Sequence, residues 1–141
     1  MRRLTIEEAV FAITLVPKLL DYKEPIADVD QRTINIISSS IEQPFASYAG
    51  RYLYRYLYHR AAVLFYLLIK NHPLKNGNKR TAVVLTVVFL ILNNKMLSIL
   101  PDELYNLACV VAKSQASDKD IEIEKVSKIF KKSLIDLPPK Q

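Results

Sequence analysis

Two long apolar runs, separated by one short polar segment, constrain the fold of this chain more than any other feature. They cover residues 61–69 and 81–92 and contain no charged side chain. Neither reaches the roughly 20 residues that a membrane-spanning helix needs, and the second is too long for an ordinary strand. Because a helix that is apolar on all sides must be buried, we predict two central helices over residues 60–71 and 78–93.

The rest of the first half of the chain predicts two helices that pack on this central pair. Thr5-Ile-Glu-Glu8 has the pattern of a capping box, which opens a first helix. Pro17 should end or bend that helix. Asp28 or Asp30 is expected to cap a second helix, which should stop before Pro44.

The second half of the chain predicts two further helices. Pro101-Asp-Glu103 opens one of them, because proline suits the first turn and acids suit the positive end of a helix dipole. Residues 121–135 form the last helix, and residues 137–141 are expected to be a frayed tail. With only two glycines, the chain is poorly suited to a sandwich or barrel, which needs many tight turns. We therefore predict a single all-α domain over residues 1–141.

A tyrosine-rich stretch follows the predicted second helix. Tyrosines stand at positions 48, 52, 54, 56 and 58, and the pattern over residues 51–58 has a period close to two. Such a period with aromatic enrichment favours a strand or a short hairpin around Gly50. The first turns of the next helix are an almost equally favoured alternative. A tyrosine–arginine surface that stacks on single-stranded nucleic acid is less favoured, because no sheet flanks the stretch.

The net charge of +6 suits an anionic partner, such as a nucleotide, a nucleic acid or an acidic peptide. The cations are scattered along the chain, however, so a solvated surface accounts for most of them. A basic helical nucleic-acid binder rests on net charge alone, and we rank it last. No apolar segment of a signal peptide follows Met1-Arg-Arg-Leu4, and the single Cys109 fits a reducing compartment. We therefore expect a cytoplasmic protein with no membrane partner.

The polar segment between the apolar runs, His72-Pro-Leu-Lys-Asn-Gly-Asn-Lys-Arg80, has the composition of an anion site. A helix that begins near Asn78 leaves its first backbone N–H groups unpaired at the positive end of the helix dipole. Gly77 allows a ligand to approach the backbone closely. Lys79 and Arg80 add full positive charges in the first turn, and Arg80 can bind two phosphate oxygens at once. A phosphate is the ligand that such a site favours.

His72 lies at the other end of the same segment and can supply the chemistry. An imidazole suits the transfer of a proton from a hydroxyl near neutral pH. The chain has no P-loop or dinucleotide fingerprint, and its two histidines and one cysteine do not form a zinc pattern. An ordinary turn between helices would explain Asn76-Gly77, but it gives no reason for His72 and Arg80 at these positions.

This segment resembles the signature of the Fic/Doc (Fido) proteins, H-P-F-x-[D/E]-G-N-[G/K]-R. Six of the eight defined positions are identical, and Leu74 stands in place of the phenylalanine. Lys79 in place of glycine, together with the flanking residues 70–71 and 89–93, is similar to the death-on-curing (Doc) branch. The resemblance extends weakly over residues 31–135.

The resemblance implies a Fido-type helical bundle with a short β-hairpin flap, formed by residues 48–58, that aligns the target. It also implies an enzyme that transfers part of a nucleoside triphosphate such as ATP to a serine, threonine or tyrosine hydroxyl of a protein. Most Fic proteins attach AMP, whereas the founding Doc toxin phosphorylates a translation elongation factor. A translation factor as target and an antitoxin protein as partner are therefore expected.

Site residues follow from the resemblance position by position. His72 would be the catalytic base, Gly77 and Asn78 the anion-binding loop, and Lys79 and Arg80 the phosphate ligands. Asn76 stands where the family has the acidic residue that holds Mg²⁺. A neutral amide still offers an oxygen but removes the carboxylate that magnesium prefers. The resemblance thus also allows a degenerate Fido protein, which binds a nucleotide or a partner without catalysis.

Overall fold

The structure, a computed structural model, describes residues 1–20 and 29–139. Six α-helices account for most of this part of the chain. The helices are α1 (Ile6–Leu19), α2 (Gln31–Glu42), α3 (Leu57–Lys70), α4 (Asn78–Leu92), α5 (Pro101–Lys113) and α6 (Lys119–Ser133). Two short antiparallel sheets accompany them, formed by β1 (Ser47–Tyr48) with β2 (Arg51–Tyr52) and by β3 (Lys95–Leu97) with β4 (Leu134–Asp136). The predicted helical fold class, including its small hairpin, is confirmed.

The helices α3 and α4 lie at the centre, as their composition predicts. Every residue from 60 to 69 in α3 is buried, and so is every residue from 81 to 86 in α4. The two helices pack against each other. Helices α1 and α5 cover α4, whereas α5 and α6 cover α3. Phe65 of α3 meets Phe130 of α6 edge to face, with ring centres 5.5 Å apart. None of the described helices has the length and apolarity to cross a bilayer.

The capping box predicted at the start of α1 is present. Thr5 Oγ1 accepts the N–H of Glu8 at 3.1 Å, and the N–H of Thr5 donates to the Glu8 carboxylate at 2.9 Å. The hydrogen bond with the Thr5 backbone lowers the pKa of Glu8. Of the two effects predicted for Pro17, an end or a bend of the helix, the end is wrong, because α1 continues to Leu19. A proline in the last turn removes few backbone bonds, and the N–H of Leu20 still reaches the Val16 carbonyl at 3.1 Å.

Asp28 and Asp30 were both predicted as possible caps of α2, and the N-cap in the structure is Asp30. Its Oδ1 accepts the N–H of Thr33 at 2.8 Å, which satisfies one of the unpaired donors of the first turn. Asp28 lies outside the described residues. The helix ends at Glu42, before Pro44, as expected. A short 3-10 helix, Gln43–Phe45, then leads into the hairpin.

The first half of the tyrosine-rich stretch forms the predicted hairpin. Ala49 and Gly50 connect β1 to β2 with positive φ angles of 52° and 78°, the backbone that a two-residue hairpin turn favours. The alternative was that the stretch forms the first turns of the next helix. It applies only to the end of the stretch, residues 57–58, because α3 begins at Leu57. The hairpin is therefore a short projection that precedes the central helix.

A buried arginine attaches this hairpin to α3. Arg60 is 4% exposed, and its guanidinium carbon lies 4.5 Å from the ring centres of both Phe45 and Tyr52. Its Nε donates to the Tyr54 carbonyl at 2.7 Å. Burial lowers the pKa of Arg60, which shows the cost of removing its charge from water. The two aromatic faces offset part of that cost through cation–π attraction.

The second sheet was not predicted, and it corrects the end of the last helix. Helix α6 stops at Ser133 instead of continuing through Ile135, and β4 pairs with β3 at the end of α4. Asn94, with φ 63°, reverses the chain after α4, and Lys95 forms an ion pair with Asp136. The apolar pair Leu134-Ile135 continues the helical pattern of the sequence. Its strand conformation depends on a distant partner that local periodicity does not reveal.

The first turn of α2 holds the segment that connects α3 to α4. Thr33, which is buried, donates from Oγ1 to the Pro73 carbonyl at 2.6 Å. Arg32 donates from Nη1 to the His72 carbonyl at 3.4 Å. A buried carbonyl that lost its partner would carry a desolvation penalty. These two contacts therefore fix the backbone of the segment from a neighbouring helix.

We expect Thr33→Val to lower the free energy of unfolding by about 1–2 kcal/mol, because the Pro73 carbonyl is then buried without its partner. Thr86→Val is the matched control, since its hydroxyl is buried and has no hydrogen-bond partner among the described residues. That change should leave the free energy of unfolding within about 0.5 kcal/mol of the wild type, or raise it. Chemical denaturation of both variants measures the difference, and equal effects would refute the role of Thr33.

Candidate functional site

The segment that connects α3 to α4 has some residues buried in the core and others, which are polar, exposed to solvent. Helix α3 ends at Lys70, and α4 begins at Asn78. Between them Pro73 and Leu74 are buried, while His72 and Lys75 are exposed. Leu74, 5% exposed, joins the hydrophobic core and so fills the place of the phenylalanine in the signature. The polar residues of the segment thus lie on a backbone that is anchored in the hydrophobic core.

The side chain of Asn78 closes the segment into a compact loop. Its Oδ1 accepts the N–H of Leu74 at 2.9 Å, and its Nδ2 donates to the Leu74 carbonyl at 2.8 Å. These two bonds distinguish the oxygen of the amide from its nitrogen. The sequence placed Asn78 in the anion-binding loop, and the structure shows that its amide shapes this loop.

The same amide reaches His72, 3.4 Å from Asn78 Nδ2 to the ring Nδ1. Because an amide NH₂ group can only donate, this contact fits the tautomer in which Nδ1 is the acceptor and Nε2 carries the proton. The predicted base and the first residue of α4 are therefore in direct contact, although six residues separate them.

His72 has a backbone conformation that few residues adopt. It follows the C-cap of α3, Asn71, with φ 45°, in the left-handed region where a glycine usually ends a helix. A side chain there costs roughly 1–2 kcal/mol. Glycine would relieve this strain, and strain of this kind is common at functional sites.

Gly77 is the N-cap of α4 and needs its lack of a side chain. Its φ of 75° is left-handed, and it provides no side-chain cap for the helix. The N-cap residue therefore satisfies none of the first N–H groups of α4 through a side chain, and the positive end of the helix dipole faces the loop. Lys79 is partly exposed in the same turn. The start of α4 thus combines a helix N-terminus with a cation in its first turn, and phosphate binding there stays a prediction.

Arg80 extends the site towards α5 through a residue that the sequence did not single out. Its guanidinium carbon lies 4.5 Å from the ring centre of Tyr105, and Nη1 is 3.4 Å from the Tyr105 hydroxyl. Both residues line a cleft of about 300 Å³ between the end of α1 and the start of α5, together with Lys18, Leu19, Leu20, Pro101 and Asp102. Tyr105 was missed because this contact depends on the fold and has no signature in sequence.

The donor set around Asn76 does not fit a magnesium ion. Within the described residues, no three histidine, cysteine or acidic side chains are grouped to hold a metal. Residues 70–80 contain no carboxylate, and Lys75 stands next to Asn76. Magnesium binds proteins through one or two carboxylates in addition to substrate phosphates. The residues therefore support an anion site better than a metal site.

Comparison with known proteins identifies one family. A model of the Fic/DOC family matches residues 9–90, more than half of the chain. The matched region runs from α1 through the loop and nearly to the end of α4. No curated protein and no solved structure matches the chain.

We expect His72→Gly to be more stable than His72→Ala by about 1 kcal/mol, because only glycine adopts the left-handed backbone without strain. Both variants lose the imidazole and its contact with Asn78, so this difference isolates the backbone. The free energy of unfolding from urea denaturation measures it. A His72→Ala protein as stable as His72→Gly would show that the backbone at this position is relaxed.

Proposed function

The chain belongs to the Fic/DOC family, and from this membership we propose that it is a Doc-like transferase. It moves a phosphoryl or AMP group from a nucleoside triphosphate to a hydroxyl of a target protein. The Fic/DOC family in general transfers nucleotides. The finer assignment, a cytoplasmic toxin countered by an antitoxin protein, rests on the Doc-like residues around the loop, Lys79 among them.

One observation carries the proposal. The imidazole of His72 lies 3.4 Å from the Asn78 amide, at the N-terminus of the helix that bears Lys79 and Arg80. A proton acceptor and an anion cradle thus share one rigid loop. Positioning and electrostatic stabilisation contribute most of the catalysis of phosphoryl transfer, so this arrangement suits the reaction.

The chemical step uses the Nδ1 lone pair of His72. A serine, threonine or tyrosine hydroxyl of the target displaces the long Asn78 contact and gives its proton to Nδ1. The hydroxyl oxygen forms a bond to phosphorus while the bond from phosphorus to the leaving oxygen breaks. Attack on the α-phosphorus releases pyrophosphate and attaches AMP, whereas attack on the γ-phosphorus releases the nucleoside diphosphate. Lys79 and Arg80 stabilise the negative charge on the phosphate oxygens.

The hairpin and the residues that lead from it into α3 offer a surface for the target protein. Tyr48, Tyr52 and Tyr56 are 79%, 59% and 53% exposed, which is unusual for aromatic side chains. Exposed tyrosines are typical of protein-binding surfaces, because each buries a large area and keeps a polar hydroxyl. We propose that these residues contact the segment that carries the modified hydroxyl, with a translation factor as the expected target.

Nucleotide binding without catalysis is the second candidate, and Asn76 is the observation that favours it. The carboxylate that holds Mg²⁺ in the family is replaced by an amide, while the phosphate-binding residues Gly77, Lys79 and Arg80 are present. Such a protein would bind the nucleotide and leave the target unmodified. A transfer assay distinguishes the two candidates.

We expect the purified protein, incubated with cell lysate and ATP labelled at the α or γ position, to transfer label to a lysate protein. Label from the α position indicates AMP transfer, and label from the γ position indicates phosphorylation. His72→Ala should reduce labelling roughly 10²–10⁴-fold, since it removes the general base. His59→Ala, which changes the chain's other histidine, should label at the wild-type rate.

The outcomes separate the candidates. ATP binding in calorimetry without labelling, unchanged after Asn76→Asp, would leave the binding protein as the function. Absence of ATP binding would refute both candidates. Equal labelling by His72→Ala and the wild type would refute the role of His72.

A further inference from the structure

We propose that the loop binds the nucleotide's phosphates through its own cations in place of Mg²⁺, so that the metal-free triphosphate is its preferred ligand. This inference rests on the proposed function, because it concerns the same site. It follows from the charges that the loop carries and from the carboxylates that it lacks.

The segment of residues 70–80 contains four cations and no acid. Lys70 is used in the fold, since its Nζ donates to the Ser114 carbonyl at 2.6 Å beyond the end of α5. The other three cations, Lys75, Lys79 and Arg80, flank Asn76 and Gly77 on both sides. In sequence they lie on both sides of position 76, at which the family carries its metal-binding acid.

Asp30, a carboxylate on which the charge of Lys75 acts, already has a structural role. Asp30 accepts the N–H of Thr33 as the cap of α2. The pKa of Asp30 is held low mainly by that backbone hydrogen bond, and the charges of Arg32 and Lys75 lower it further. The charge of Lys75 therefore acts on the residue that caps α2. Asp30 does not supply the missing acid at position 76.

The balance of charge decides which form of the nucleotide binds better. A triphosphate that carries Mg²⁺ loses about two units of negative charge to the metal. In an acidic site the carboxylate recovers this loss by binding the metal. Within residues 70–80 no carboxylate recovers it, and the metal also repels Lys75 and its neighbours. The free triphosphate is consequently the better ligand, and added Mg²⁺ competes with the loop for the phosphates.

Titration calorimetry with ATP, in EDTA and in excess Mg²⁺ at matched ionic strength, tests this inference. The wild type should bind ATP several-fold more tightly in EDTA, on the order of threefold to tenfold. Asn76→Asp should reverse this order, because the new carboxylate can bind the metal. Asn71→Asp makes the same change in charge at the other end of the loop. It should weaken binding in both solutions and keep the wild-type order.

Tighter binding of ATP by the wild type in Mg²⁺ would overturn the inference and leave the proposed function intact. No binding in either solution would refute the proposed function and the inference together. If Asn76→Asp does not fold, Asn76→Ala replaces it and should change both affinities by the same factor. A loss confined to Mg²⁺ in Asn76→Ala would show that the amide oxygen binds the metal, which would overturn the inference.

Discussion

The burial of α3 and α4 against each other is the constraint on which the rest of the structure depends. Both helices are apolar on nearly all sides, so neither can rotate or shift without exposing core residues. Their ends are therefore fixed, and the short loop that joins them has little freedom. Thr33 from α2 and Asn78 from α4 then hold its backbone at Pro73 and Leu74. Hydrogen bonds from two helices thus hold the backbone of the candidate loop.

The features that sequence could predict are those whose cause is local. The capping box at Thr5, the hairpin turn at Gly50 and the two central helices each follow from residues within a few positions of one another. The features that it missed have distant causes. The pairing of β3 with β4, the bond from Thr33 to Pro73 and the contact of Arg80 with Tyr105 join segments that are far apart in the chain. The residues of the loop were predicted, but not the contacts that position them.

The backbone and the side chains of the loop serve different purposes. His72 occupies a left-handed position that glycine would fill at lower cost, and Gly77 occupies another where only the absence of a side chain is needed. The strain at His72 persists because the surrounding contacts determine the backbone around it. Asn78 connects the two requirements, since one amide both closes the loop and orients the imidazole.

The concentration of cations on this loop itself lowers the stability of the fold. Lys75 and Lys79 repel each other, and the positive end of the α4 dipole adds to that repulsion. Arg80 is partly relieved by the face of Tyr105, which attracts its guanidinium. No carboxylate within residues 70–80 compensates for the rest. An arrangement of this kind is destabilising, and an anion bound as proposed above would offset the repulsion.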